Sequence, residues 1–158
     1  MKKRRGILYC LLAASMLVSL TGCSKGGSGT HLLVAHSHNE NHPVHVALTY
    51  MKDEMEKNTG YTFSIYPNGQ LGGNSDMIQM VKAGVLDVAK VSASSLEQFN
   101  PAYSIFSLPY VFQSTEHYFK VMEESRAVQE IFKSTYDQGF FAVGRYDSGA
   151  RSVYTTKE

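Results

Sequence analysis

Past Cys23 this sequence has no cysteine at all, since the other of its two lies at Cys10. A disulfide framework is therefore excluded for the body of the chain, which a packed core must hold together. A basic stretch is equally absent from that body. Lys2, Lys3, Arg4 and Arg5 stand at the very start, and without them 11 Lys/Arg face 14 Asp/Glu, a net charge of −3. That balance excludes nucleic acid as a partner. Catalytic signatures are missing as well: there is no Gly-x-Ser-x-Gly nucleophile elbow, no Gly-x-Gly-x-x-Gly phosphate loop and no zinc-protease helix. Internal repeats are lacking too. The expectation is a protein that is not an enzyme and needs no cofactor.

What is present begins with a leader. The four basic residues precede an almost continuous apolar run, Ile7 to Leu20, and Leu20-Thr21-Gly22 then sets small residues before Cys23. That order is a secretory signal with a lipoprotein-type cleavage site. The apolar run is too short and too unevenly flanked to span a bilayer comfortably. Residues 1–22 are thus expected to be a signal peptide, and Cys23 the lipidation site. Residues 23–30 form a tether whose Ser24-Lys25-Gly26-Gly27-Ser28-Gly29 is flexible by composition. The acyl chains would hold the exported protein on the outer face of the membrane or in the periplasm.

From residue 31 to 158 the pattern alternates strands and helices. Leu32 to Ala35 has the length of a buried strand. Asn41 and Pro43 open a helix carrying Val44, Ala47, Leu48, Met51 and Met55 at helical spacing, and Gly60 stops it. Tyr61 to Tyr66 alternates as a strand, and Pro67-Asn68-Gly69 turns the chain. Ser75 can cap a second helix with Met77, Met80 and Val81, followed by a third strand over Leu86 to Val91. Short links between such elements imply parallel strands. The capping-box spacing of Ser94 to Glu97 predicts a helix there. Two more are expected near Glu116 to Met122 and Arg126 to Tyr136, and a further strand from Phe140 through Arg145 towards Arg151.

Ligands of an open parallel sheet gather outside the carboxyl ends of its strands. Here those ends are His36-Ser37-His38, Asn68 to Asn74, and Ser92-Ala93-Ser94, all polar or glycine-rich. Ser92 and Ser94 would stand beside a helix N-terminus, whose free N–H groups attract anions. The alternative for these serines is to cap their own helix. His31, His36, His38, His42 and His45 also fall within fifteen positions, so a zinc-binding surface lipoprotein is a second reading. Lys90 is out of place in an apolar strand. Burial without a partner would be costly, which predicts that it reaches the strand edge or an open surface.

Several segments carry a resemblance. They are His42-Pro43, Tyr66-Pro67-Asn68-Gly69-Gln70-Leu71-Gly72, Gly84-Val85-Leu86-Asp87, Phe99-Asn100-Pro101 before Phe106-Ser107-Leu108-Pro109-Tyr110-Val111-Phe112, and Gly149-Ala150-Arg151. In that order they resemble the DctP-type substrate-binding proteins of tripartite ATP-independent periplasmic (TRAP) transporters. The resemblance implies an α/β, Rossmann-like parallel-sheet lobe of a two-lobed periplasmic clamp. It implies capture of a small organic acid, a C4-dicarboxylate or a related carboxylate, for delivery to the small and large membrane subunits of the transporter. Carried over by position, it implies ligand contacts at His36, Gly73, Asn74, Ser92 and Arg151. A guanidinium at Arg151 suits a carboxylate through two parallel hydrogen bonds. Family members are roughly twice as long, as two lobes require. The sequence ends at Glu158, where the resemblance places entry into the second lobe, so the expectation is an N-terminal lobe, truncated.

Overall fold

The computed structural model describes residues 30–149 and residue 156. The leader, Cys23 and the tether up to residue 29, and Arg151, lie outside the described residues.

Three strands, β1 (His31–His36), β2 (Thr62–Tyr66) and β3 (Val88–Lys90), form one sheet in the order β2-β1-β3. Both pairings are parallel, with Ala35 opposite Tyr66 and His36 opposite Lys90. The three carboxyl ends therefore emerge along one edge. Connecting parallel strands requires a crossover, here supplied by α1 (Pro43–Asn58) and α2 (Asn74–Lys82).

The central strand explains which helix goes where. Neighbouring side chains of a strand point to opposite faces. Val34 packs with Val44 and Leu48 of α1 and with Phe63 of β2. Ala35, the next residue, packs with Met77 of α2 and Leu86. One helix thus covers each face, and Val34 and Ala35 are both fully buried between them. This is the expected α/β sandwich. Asp87 fastens its lower end, accepting from the Leu33 amide at 2.7 Å while its own amide donates to the Leu33 carbonyl.

Beyond β3 the chain leaves the sheet. Two helices, α3 (Thr115–Glu124) and α4 (Arg126–Lys133), gather a separate core of Tyr103, Met122, Val128 and Phe132. Tyr103 is buried, and its hydroxyl donates to the Phe132 carbonyl.

Several expected details are corrected. No helix starts at Ser94; Ala93–Ser95 is a single 3-10 turn, because Asn74 of α2 engages the Ser92 hydroxyl and Ser92 makes no side-chain cap. The segment from Phe140 to Gly149 is not a strand. Its Ala142 amide donates to the Phe132 carbonyl and Arg145 bonds Glu123, so it runs along the helices, away from the sheet edge. His42, rather than Asn41, caps α1, its Nδ1 accepting from the Val44 amide, with Pro43 at the first helical position as expected. Gly73, rather than Ser75, precedes α2, and its amide donates to Asp76 at 2.8 Å. Among the described residues no helix is long and apolar enough to cross a membrane.

Candidate functional site

His36 ends the central strand and is fully buried. Its Nδ1 accepts the His38 backbone amide at 3.2 Å, which leaves the ring proton on Nε2. That Nε2 faces His45 Nδ1 at 2.9 Å and donates to it. Burial, first of all, pushes the His36 imidazole below its usual range, and the neighbouring His45, His38, Lys90 and His42 push it the same way. A neutral, doubly tied ring is the floor on which the other residues stand.

His38 follows as the chain leaves the strand. Its ring stacks on that of His42, with centroids 3.9 Å apart and planes 12° from parallel. Lys90, level with His36 on the adjacent strand, brings Nζ to 2.8 Å from His38 Nε2. An ammonium has no lone pair to offer, so His38 Nε2 is the acceptor and its proton sits on Nδ1. Burial lowers the Lys90 ammonium, and burial, then Lys90 and His42, lower His38. Lys90, the last residue of the edge strand β3, is partly exposed as expected, and it finds a histidine there, a pairing that hydropathy alone does not show.

A second, neutral group lies two residues past Lys90. Asn74, the first residue of α2, donates to Ser92 Oγ at 2.8 Å and to Ser95 Oγ at 3.2 Å. Ser94 leans on Ser92 at 3.4 Å. Of the sequence-expected residues, Asn74 and Ser92 are therefore in direct contact. Gly73 sits exposed beside them, and His36 lies beneath the imidazole group at the same sheet edge. The position of Arg151 lies outside the described residues.

At the end of β2, Pro67, Asn68 and Gly69 fold back onto β1. The Asn68 amide donates to the His38 carbonyl at 2.8 Å, and the Gly69 amide to the His36 carbonyl at 3.1 Å. Asn68 and Gly69 both take positive φ, 58° and 66°, a turn that Asn-Gly adopts with little strain. An open groove of about 490 Å³ adjoins this turn, lined by Glu40, His45, Tyr66, Pro67 and Gln70 among others. His45 joins the groove to the imidazole group.

The metal reading receives no support. His42 and His45, adjacent on the helix, turn to different partners, His38 and His36. Among the described residues no three His, Cys, Asp or Glu side chains are arranged to hold a metal ion. Sequence reasoning missed His38, His42, His45 and Lys90 as one group. The signal was there: a lone lysine in an apolar strand, and histidines massed at the carboxyl end of its neighbour.

Residues 34–158 match the family model "bacterial extracellular solute-binding protein, family 7". The Salmonella typhimurium protein YiiZ is 38% identical over 93% of this chain and 45% of its own length. A TRAP periplasmic solute-binding protein from Anaerococcus prevotii, solved with D-glucuronate bound, superposes with a TM-score of 0.76 at 37% identity, over 82% of this chain and 42% of that one. Another from a Sulfitobacter species, holding β-D-galacturonate, superposes with a TM-score of 0.69 at 28% identity, over 77% and 41% of the two chains. This chain spans less than half the length of each of these relatives.

Proposed function

The chain belongs to the bacterial extracellular solute-binding proteins of family 7, and on that premise we propose that it supplies the lobe of an exported receptor that captures a small organic acid for a TRAP transporter. The observation that carries this reading is the shared sheet edge, where Lys90, four imidazoles, the Asn74 amide and the Ser92 hydroxyl converge. The hydrogen bonds inside this group run between cationic or neutral partners. Such a surface has donors to spare and favours an anion with hydroxyls.

Sugar acids are the favoured class, since the Anaerococcus and Sulfitobacter proteins hold glucuronate and galacturonate. Lysine and imidazole groups would meet the carboxylate, while Asn74 and Ser92, which carry no charge, suit its hydroxyls. Arg151 is proposed as a further contact by position in the family motif. Exchange of the captured acid with small and large membrane subunits belongs to the same proposal, as does anchoring through an acylated Cys23 after removal of residues 1–22. The basic residues, the apolar run and the small residues before Cys23, in that sequence, support that anchoring. No catalytic role is proposed, since the family is one of solute-binding proteins.

Calorimetric titration of the full chain in detergent with D-glucuronate, L-malate, D-glucose and zinc chloride tests the reading. One lobe offers part of a clamp, so affinity for the acids is expected on the order of 1 mM, about 4 kcal/mol. D-glucose should bind at least about tenfold more weakly, a difference of about 1.4 kcal/mol. Equal binding of glucose and glucuronate, or tight zinc binding with no response to acids, defeats the proposal.

A further inference from the structure

We infer that Lys90 and His38 form the charge contact of this lobe, Lys90 Nζ donating to a carboxylate oxygen of the bound acid. The inference rests on the acid-binding reading given above and names where in the site the charge is met.

Lys90 is the starting point. An ammonium has three N–H donors, and one of them goes to His38 Nε2. Among the described residues no carboxylate pairs with Lys90, whereas Lys52 and Lys57 both have one on their own helix. Burial lowers the Lys90 ammonium, with no carboxylate beside it to raise it again. A half-buried cation in this state is under-satisfied, and the fold tolerates it at the carboxyl edge of the sheet, where a solute is expected. Lys90 and His38 are both partly exposed, so an incoming oxygen can reach them, while His36 beneath is sealed.

His38 holds the lysine in place. Its ring is fixed from the other side by the stack on His42, itself pinned by accepting the Val44 amide at 3.2 Å. Lys90 is thereby aimed rather than left to sweep freely, which lowers the entropy lost on binding. The titratable groups beside the pair are His36 from β1, His42 at the cap of α1 and His45 within it, while Glu40 lines the adjoining groove with His45. Arrival of a negative charge would favour the protonated forms of both, His38 Nε2 changing from acceptor of the lysine to a second donor to the carboxylate. Binding is therefore accompanied by net proton uptake and strengthens as pH falls from about 8 to about 6, where imidazoles titrate.

The test compares the full chain with its Lys90→Gln and Lys90→Arg variants, each checked for an unchanged circular-dichroism spectrum. Binding of D-glucuronate is followed by calorimetry in two buffers of different ionisation heat, and by the NMR signals of the His38 ring. In the unaltered chain, glucuronate should move the His38 signals and take up protons. K90Q should weaken binding about tenfold, and K90R should restore most of the affinity. If the unaltered chain binds glucuronate and K90Q binds it equally well, this inference fails while the acid-binding proposal stands. If the unaltered chain binds no acid at all, both fail.

Discussion

Single residues at the strand ends carry opposing demands. His36 and His38 are held neutral by burial, and both sit below the range they would have in an unfolded chain. The unfolded chain therefore binds more protons than the folded one as pH drops through about 6.5, the ordinary imidazole value. Stability from these residues is fully present above that point and is lost as pH falls towards their folded values. The expected outcome is a melting temperature that declines between about pH 7.5 and pH 5.5, and the decline should be smaller in His36→Gln. Glu56 is also lowered, chiefly by Lys52, but its loss comes below the ordinary carboxylate range near 4.5 and is separable. Acid thus loosens the empty site while it tightens the proposed anion contact, so added glucuronate should flatten the decline. A melting temperature independent of pH across that interval would refute the account.

Gly72 makes a stricter demand of its own. Its φ is +96°, and a Cβ there would meet Asp76 Oδ2 at 2.7 Å and Asp76 Cβ at 2.8 Å. Asp76 cannot swing away without releasing the Gly73 amide that opens α2. Gly72→Ala should cost about 2–3 kcal/mol, a left-handed backbone penalty plus a lost cap, measured by urea unfolding. The same change at Gly60, where nothing lies within 4 Å and no positive φ is required, should cost less than about 1 kcal/mol.

At the level of elements, strands and helices were legible where hydrophobic period and turn chemistry agreed. Val34, Val44, Leu48 and Phe63 are core residues that the helical and strand spacings predict, and Pro43, Asn68 and Gly69 mark ends by their own stereochemistry. The failures fall where a tertiary partner overrides a local signal. Ser94 to Glu97 has capping-box spacing, yet Ser92 and Ser95 are claimed by Asn74, eighteen and twenty-one positions away in sequence. Phe140 to Val143 is apolar enough for a strand, but Ala142 joins the helical core and its amide bonds Phe132. Of the site, Asn74 and Ser92 were readable as strand-end polar residues. The Lys90–His38 contact was not, because it depends on registry across two strands separated by fifty-two positions. The helix caps allow an element-scale check: Ser114→Ala removes the acceptor of the His117 amide and should destabilise α3 by about 1 kcal/mol.

Taken as a whole, the described chain holds two bodies with separate cores. The sheet body packs helices on both faces and buries Val34, Ala35, Met77 and Ile78 almost completely. The helical body around Tyr103, Met122, Val128 and Phe132 has its own core and includes short helices of ten and eight residues. Helices of that length are marginal unless tertiary packing holds them. The segment between the two bodies is tied to α2 by Asn74 on Ser92 and Ser95, by Gln98 donating to Ser75 Oγ at 3.2 Å and by Lys82 over the Phe99 ring at 4.9 Å, and Gln138 holds Phe99 by donating to its carbonyl at 3.0 Å. Local opening free energy follows buried apolar contact, so the two bodies should exchange amide protons at different rates. Hydrogen-exchange mass spectrometry is expected to show β1 and α2 protected near the global limit while α3 and α4 open at least about 2 kcal/mol sooner. Met77→Ala, which empties a fully buried position, should lower the protection of β1 by about 2–5 kcal/mol and leave α3 nearly unchanged. Equal loss of protection in both bodies would mean that they unfold as one unit and that the ties through this segment are strong enough to couple them.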